Sequence, residues 1–116
     1  FVLRISYGAH RFLFMGDAEE GSERALLRRG LSHVDVVKVG HHGSRTSSTA
    51  AFVDATSPRF AVISAGIANQ FHHPHPEVTA RWSAQSRVLR TDSEGSITME
   101  SDGTNLSVRT FESGSL

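Results

Sequence analysis

The run Val34-Asp35-Val36-Val37-Lys38-Val39-Gly40-His41-His42-Gly43-Ser44 constrains this chain more than any other feature. A short β-branched stretch of this kind reads as a buried strand, and it breaks directly into a polar loop that opens with two histidines. The same grammar recurs on either side. Phe1 to Tyr7 alternates apolar and polar residues as a half-buried strand does. Gly8-Ala9-His10 can turn, and Arg11 to Met15 returns as a second, more fully buried strand, so the pair reads as a β-hairpin running into Gly16-Asp17-Ala18-Glu19. Residues 59–64 form another apolar strand ahead of a loop from Ala65 to His75 rich in Gly, Asn, His and Pro.

Helices are expected between these strands. Residues 19–29 favour helix, with Ala25, Leu26 and Leu27 as the apolar side, Arg28-Arg29 in the last turn and Gly30 beyond it. Ser47 or Ser48 can cap a short helix from about Thr49 to Ala55 that Pro58 stops, and Pro76 with Glu77 starts a third that runs to about Ala84. Residues 88–90, 96–100 and 106–109 are final strands, the last two joined by a turn at Asp102-Gly103. The order β-β-α-β-α-β-α-β-β-β predicts an α/β or layered sandwich in one unit. The length of 116 residues suits a single core.

Composition bounds the chemistry. Twelve basic and twelve acidic side chains cancel. This argues against a strongly basic nucleic-acid-binding module, yet leaves room for a nuclease whose positive charge comes from metal ions. The chain has no cysteine, which excludes disulfides and thiolate metal sites. No apolar stretch approaches the roughly 20 residues of a bilayer-crossing helix. The chain starts at Phe1 inside a strand and is read as cut from something larger.

Asp17, His41-His42 and the segment from Asn69 to His75 all follow the C-terminal ends of strands, where α/β sheets gather their ligand sites. A carboxylate and an imidazole at adjacent strand tips suit Zn²⁺ or Mn²⁺. One Asp can bridge two ions, and such a pair activates water for in-line displacement at phosphorus. Against this, Gly16-Asp17 also reads as a simple turn and His41-His42 as a polar loop. In Asn69-Gln70-Phe71-His72-His73-Pro74-His75-Pro76 the prolines fix the backbone around His75, so a histidine here can serve as general acid or simply be solvated in a turn entering the next helix. His73 and His75 make an H-x-H pair without the following Asp-His of a metallohydrolase motif. Ser44, Thr46, Ser47 and Ser48 can bind phosphate, though such loops commonly cap helices. A Ser44-His41-Asp17 triad lacks the G-x-S-x-G elbow. His10 and His33 read as surface residues, and Arg90-Thr91-Asp92 as a structural salt link.

Taken in order, Gly16-Asp17-Ala18-Glu19, Asp35 to Ser44, Ser64 to Asn69, His73-Pro74-His75-Pro76-Glu77-Val78 and Arg90-Thr91-Asp92 resemble the C-terminal metallo-β-lactamase-like domain of the ComEC family of competence proteins. The resemblance runs from about Phe12 to Gly103. It implies an αββα sandwich of which this chain is the C-terminal half. It also implies a hydrolase or nuclease using two divalent ions, zinc or manganese. By resemblance Asp17 is the bridging metal ligand and His41 the last metal-ligand histidine, with His42 the alternative or a catalytic neighbour. His73 faces the substrate as a catalytic residue, and Ser44, Asn69 and His75 shape substrate binding. The parent so implied is a membrane channel passing single-stranded DNA in natural transformation, seated in the bacterial cytoplasmic membrane with this domain on the outer face. Two departures stand out. Phe71-His72 replaces the family's aromatic-Gly pair, and the principal H-x-H-x-D-H motif is absent, so it is expected N-terminal to Phe1 in a missing half. With few ligands left, the chain alone is expected to be inactive. A soluble hydrolase of the same fold, acting on a small phosphodiester, lactone or thioester, and a degenerate non-catalytic domain are the competing readings.

Overall fold

The computed structural model describes residues 1–66 and 73–116. Its elements run β1 (Leu3–Tyr7), β2 (His10–Phe14), α1 (Glu20–Arg28), β3 (Val36–Lys38), a 3₁₀ turn (Gly40–Gly43), α2 (Ala50–Thr56), β4 (Phe60–Ile63), α3 (Pro76–Ser83), β5 (Arg87–Arg90), α4 (Thr91–Glu94), β6 (Ile97–Ser101), β7 (Leu106–Thr110) and β8 (Gly114–Ser115). The chain is mixed α/β. Strands β1 to β5 form one sheet in sequence order, antiparallel between β1 and β2 and parallel thereafter, while β6, β7 and β8 form a small antiparallel sheet.

The period-2 alternation of the strands sorts the apolar residues onto two faces. Leu13, Met15, Val37, Val39, Ala61 and Ile63 meet Phe52, Val53, Val78 and Trp82 from α2 and α3 in the main core. Burying such side chains removes about 25 cal/mol of unfavourable hydration per Å². On the other face Val36, Phe60 and Leu89 pack with Val108 of β7, flanked by Phe12, Val62, Ile97 and Met99.

That second core is only half covered. The register places Leu3 opposite Phe14 and Ile5 opposite Phe12. Leu3, Ile5, Tyr7 and Phe14 remain 41–55% exposed. The alternation in β1 predicts a half-buried strand, but all five of its residues are exposed. The alternation is present, but the small sheet packs against Val36, Phe60 and Leu89 and leaves β1 exposed. An apolar cavity of about 370 Å³ opens along this boundary, lined by Phe12, Phe14, Val36, Lys38, Val62, Thr91, Ile97 and Met99.

Two other details depart from the sequence reading. His10 is buried rather than on the surface, its Nδ1 lying 2.5 Å from Ser101 Oγ and so linking the two sheets. Residues 91–94 form the short helix α4, whereas the sequence suggested only a strand end. The tips of the two hairpins touch: Ala9 N donates to Gly103 O at 2.8 Å. Among the described residues no helix is long and apolar enough to cross a membrane.

Candidate functional site

The parallel strands β2, β3 and β4 end on the same side, and the site is assembled from the segments that leave them. After β2 the chain turns at Met15 to Ala18, closed by Ala18 N donating to Met15 O at 3.0 Å. After β3 it enters the His41-His42 turn, and His41 N donates to Gly16 O at 2.7 Å. Gly40 makes this approach possible, since a Cβ there would stand 2.7 Å from Ala18 O. The sequence therefore brings the Asp17 turn and His41 to one tip through a glycine that no larger residue can replace without displacement.

His41 and His42 both adopt left-handed backbone, at φ 49 and φ 51. Each such residue costs roughly 1–2 kcal/mol relative to the right-handed region. Strain of this type persists where the surroundings enforce it, and it gathers at functional sites. Here it turns both rings towards one cavity of about 410 Å³, lined by Glu19, His41, His42, Ser44, Thr46 and His73.

The imidazoles are held differently. His42 Nδ1 lies 2.9 Å from Ser64 O. A carbonyl only accepts, so Nδ1 carries the hydrogen and the neutral ring keeps its lone pair on Nε2. His41 Nδ1 is sealed from water and has no hydrogen-bond partner among the described residues, with Glu19 Oε1 in ion-pair reach at 3.5 Å. His73 meets His41 edge-to-face with ring centroids 5.8 Å apart. Desolvation, with repulsion from His41, His42 and His75, holds the His73 pKa below its ordinary 6.5. Those surroundings favour the neutral ring.

The remaining predicted residues fall as follows. Asp17 is exposed on its turn, adjacent in backbone to His41, but the carboxylate beside the imidazole and in the cavity wall is that of Glu19. Ser44 is buried, lines the cavity and pairs with Thr46 Oγ1 at 3.0 Å. His75 caps α3: its Nδ1 accepts from Glu77 N at 3.2 Å and its own N donates to Gly43 O at 2.9 Å. It does not line the cavity wall. Asn69 lies outside the described residues. The expected salt link is present, with Arg90 donating to both Asp92 oxygens at 3.0 and 2.7 Å. Thr91 between them accepts from Ala65 N at 2.8 Å and donates to Ala65 O at 2.9 Å, which pins the start of the loop after β4.

Sequence reasoning missed both Glu19, which it placed only in the turn and helix start after β2, and Glu23, which it did not single out. The His41 imidazole and the Glu19 carboxylate beside it fit a divalent cation in kind. They do not fit it in number. Among the described residues no group of three or more His, Asp or Glu is placed to hold a metal ion.

A mixed α/β unit with a histidine-walled cavity at its parallel strand ends defines a class of domain, and the relatives define its family. The chain is 40% identical over 98 residues to ComE operon protein 3 of Bacillus subtilis, covering 83% of this chain and 13% of that protein. It is 39% identical over 99 residues to Competence protein ComA of Neisseria gonorrhoeae, covering 83% of this chain and 14% of that one. It is 38% identical over 80 residues to Recombination protein 2 of Haemophilus influenzae, covering 69% and 10%. This chain belongs to the ComEC family of competence proteins, as a segment homologous to a small part of each relative's length. No protein-family model matches the chain, and no solved structure matches it significantly.

Proposed function

We propose that the chain is the C-terminal half of a metallo-β-lactamase-like αββα domain that hydrolyses DNA phosphodiesters within a DNA-uptake protein of natural transformation. The observation that carries this reading is His41, held in strained backbone at the tip it shares with the Asp17 turn, its buried Nδ1 facing the Glu19 carboxylate at 3.5 Å without a hydrogen bond among the described residues. A divalent ion beside the imidazole and the carboxylate would find donors of the right chemical kind.

In this reading Asp17 and His41 are this chain's ligands for a two-ion zinc or manganese site, with Glu19 beside them. A divalent ion there would lower the pKa of water and polarise a phosphoryl oxygen. His42, fixed by Ser64 O with its lone pair on Nε2, is a proton acceptor or the alternative ligand. His73, neutral among three other imidazoles, takes or gives a proton beside the substrate. Ser44 and Thr46 offer hydroxyl donors to phosphate oxygens from the cavity wall, and Asn69 and His75 shape the loop that closes over it.

The open face of β1 and β2 supports the domain assignment. Leu3, Ile5, Tyr7 and Phe14 form an apolar surface that suits a second sheet, and the N-terminal half bearing the remaining metal ligands would cover it. The names of the relatives support the competence context. On the family resemblance, we take the parent to be a channel in the bacterial cytoplasmic membrane, with this domain on its outer face and single-stranded DNA as its passenger. The chain alone has too few ligands for activity.

The test is DNA hydrolysis by a polypeptide extended N-terminally through the missing half. Cleavage that requires Zn²⁺ or Mn²⁺ and falls by two or more orders of magnitude in both D17A and H41A is expected. Full cleavage in both variants, or none in the extended protein with either metal, would refute the reading.

A further inference from the structure

We propose that Glu23 and Ser48 are positioning residues, forming a buried bracket that fixes the His41-His42 turn against the His73 segment. Both are 1% exposed. The Glu23 carboxylate, on α1, accepts from Ser48 N at 2.6 Å, Thr49 N at 2.9 Å and Thr49 Oγ1 at 2.9 Å. From the opposite side α3 reaches the same residue, with Arg81 donating to Ser48 O at 2.5 Å and Trp82 Nε1 donating to Ser48 Oγ at 2.9 Å. Every polar group of Ser48 is engaged.

The bracket holds the segment that forms the cavity wall. Residues 43–48 carry Ser44 and Thr46 into the cavity. At one end Gly43 O accepts from His75 N at 2.9 Å, two residues after His73. In the middle Thr46 O accepts from Glu20 N at 3.0 Å, and Ser47 Oγ donates to Gly40 O at 3.1 Å, immediately before His41. At the far end stand Glu23 and the α3 pair. A shift of Ser48 is thus passed to both histidine segments, whose rings are 5.8 Å apart.

Stability alone does not account for this arrangement. A carboxylate buried among neutral donors, as that of Glu23 is among the described residues, is costly, and an apolar side chain of similar volume is often neutral or better in such a place. Ser48 has φ 60, where glycine is cheaper. The N-terminus of α2 is already capped by Thr49 Oγ1, which accepts from Phe52 N at 3.3 Å. Two locally unfavourable choices converge on one cavity-lining segment, the pattern expected where geometry rather than stability is specified.

The inference is independent of whether the cavity holds a metal ion, and its test reads ring geometry in the 116-residue chain. In E23Q one of the two accepting oxygens becomes an NH2 group that faces a donor, and S48G removes the hydroxyl while suiting the left-handed backbone. Both variants are expected to unfold cooperatively. Each should at least halve the NOE between the His41 and His73 rings and weaken the hydrogen-bonded Nδ1–H signal of His42. Emission from Trp82, the only tryptophan, reports independently that its bond to Ser48 is broken in S48G. If E23Q does not fold, S48G decides. Unchanged ring NOE and His42 signal in a folded variant with a shifted Trp82 emission would overturn the proposal and leave the bracket as plain scaffolding.

Discussion

Gly43 and Pro74 lie so close that a Cβ on Gly43 would stand 2.5 Å from the Cβ of Pro74. This contact joins the two histidine segments, and Gly43 meets it at φ +78, where an L side chain is strained in any case. G43A is therefore expected to cost about 1–3 kcal/mol from overpacking, with roughly 1–2 more from the backbone. Urea unfolding measures it, and a midpoint equal to wild type would contradict the stated packing.

Thr91 satisfies both backbone groups of Ala65 with one hydroxyl. T91V keeps the shape and deletes both bonds, so it should destabilise by about 1–3 kcal/mol, whereas T91S should stay close to wild type. The same pair of variants should differ in amide exchange at Ala65. Equal stability and equal exchange would show that the loop start is held by other contacts.

The Arg90 hydrogen bonds, aided by its charge, hold the Asp92 carboxyl below its ordinary 3.8. The folded state thus favours the ionised form. The stability this contributes is fully present above the unfolded value and is lost as pH falls through the lower folded value. The gap in unfolding midpoint between wild type and D92N should be constant at neutral pH and shrink below about pH 4. A gap that widens on acidification would reverse the sign and contradict the link.

The exposed face of β1 and β2 yields a contrast between two lengths of protein. In the chain alone I5K with F14K should change stability by no more than about 0.5 kcal/mol per site. In the N-terminally extended polypeptide the same pair should cost several kcal/mol, as charges buried in an apolar layer do. Equal small effects in both would mean that this face is not an inter-sheet surface.

Much of this was legible before the structure. Val36-Val37 and Phe60 to Ile63 are too apolar and β-branched to be other than buried strands, Gly8 and Asp102-Gly103 mark turns, and Pro76 marks the start of α3. Their order alone put Asp17, His41-His42 and His73 at strand ends. The parts that were not legible depend on contacts across long sequence separations. Nothing local distinguishes the helix-start carboxylates Glu19 and Glu23, yet one faces His41 and the other is buried under Ser48. His10 looked like an ordinary turn residue because its partner, Ser101, is 91 positions away. Helix α4 is four residues long, too short for an apolar period to register. In β1 the alternation was read correctly, but alternation states which side is apolar and not whether anything covers it.

The central claim is that the Asp17 turn and His41 supply part, and only part, of a divalent-metal site. Calorimetric titration of the 116-residue chain with Zn²⁺ and Mn²⁺, repeated on H41A and D17N, tests it directly. The account predicts single-site binding weaker than micromolar, reduced in D17N and abolished in H41A. Two-site binding at micromolar affinity or tighter by the chain alone, or binding indifferent to both substitutions, would contradict it.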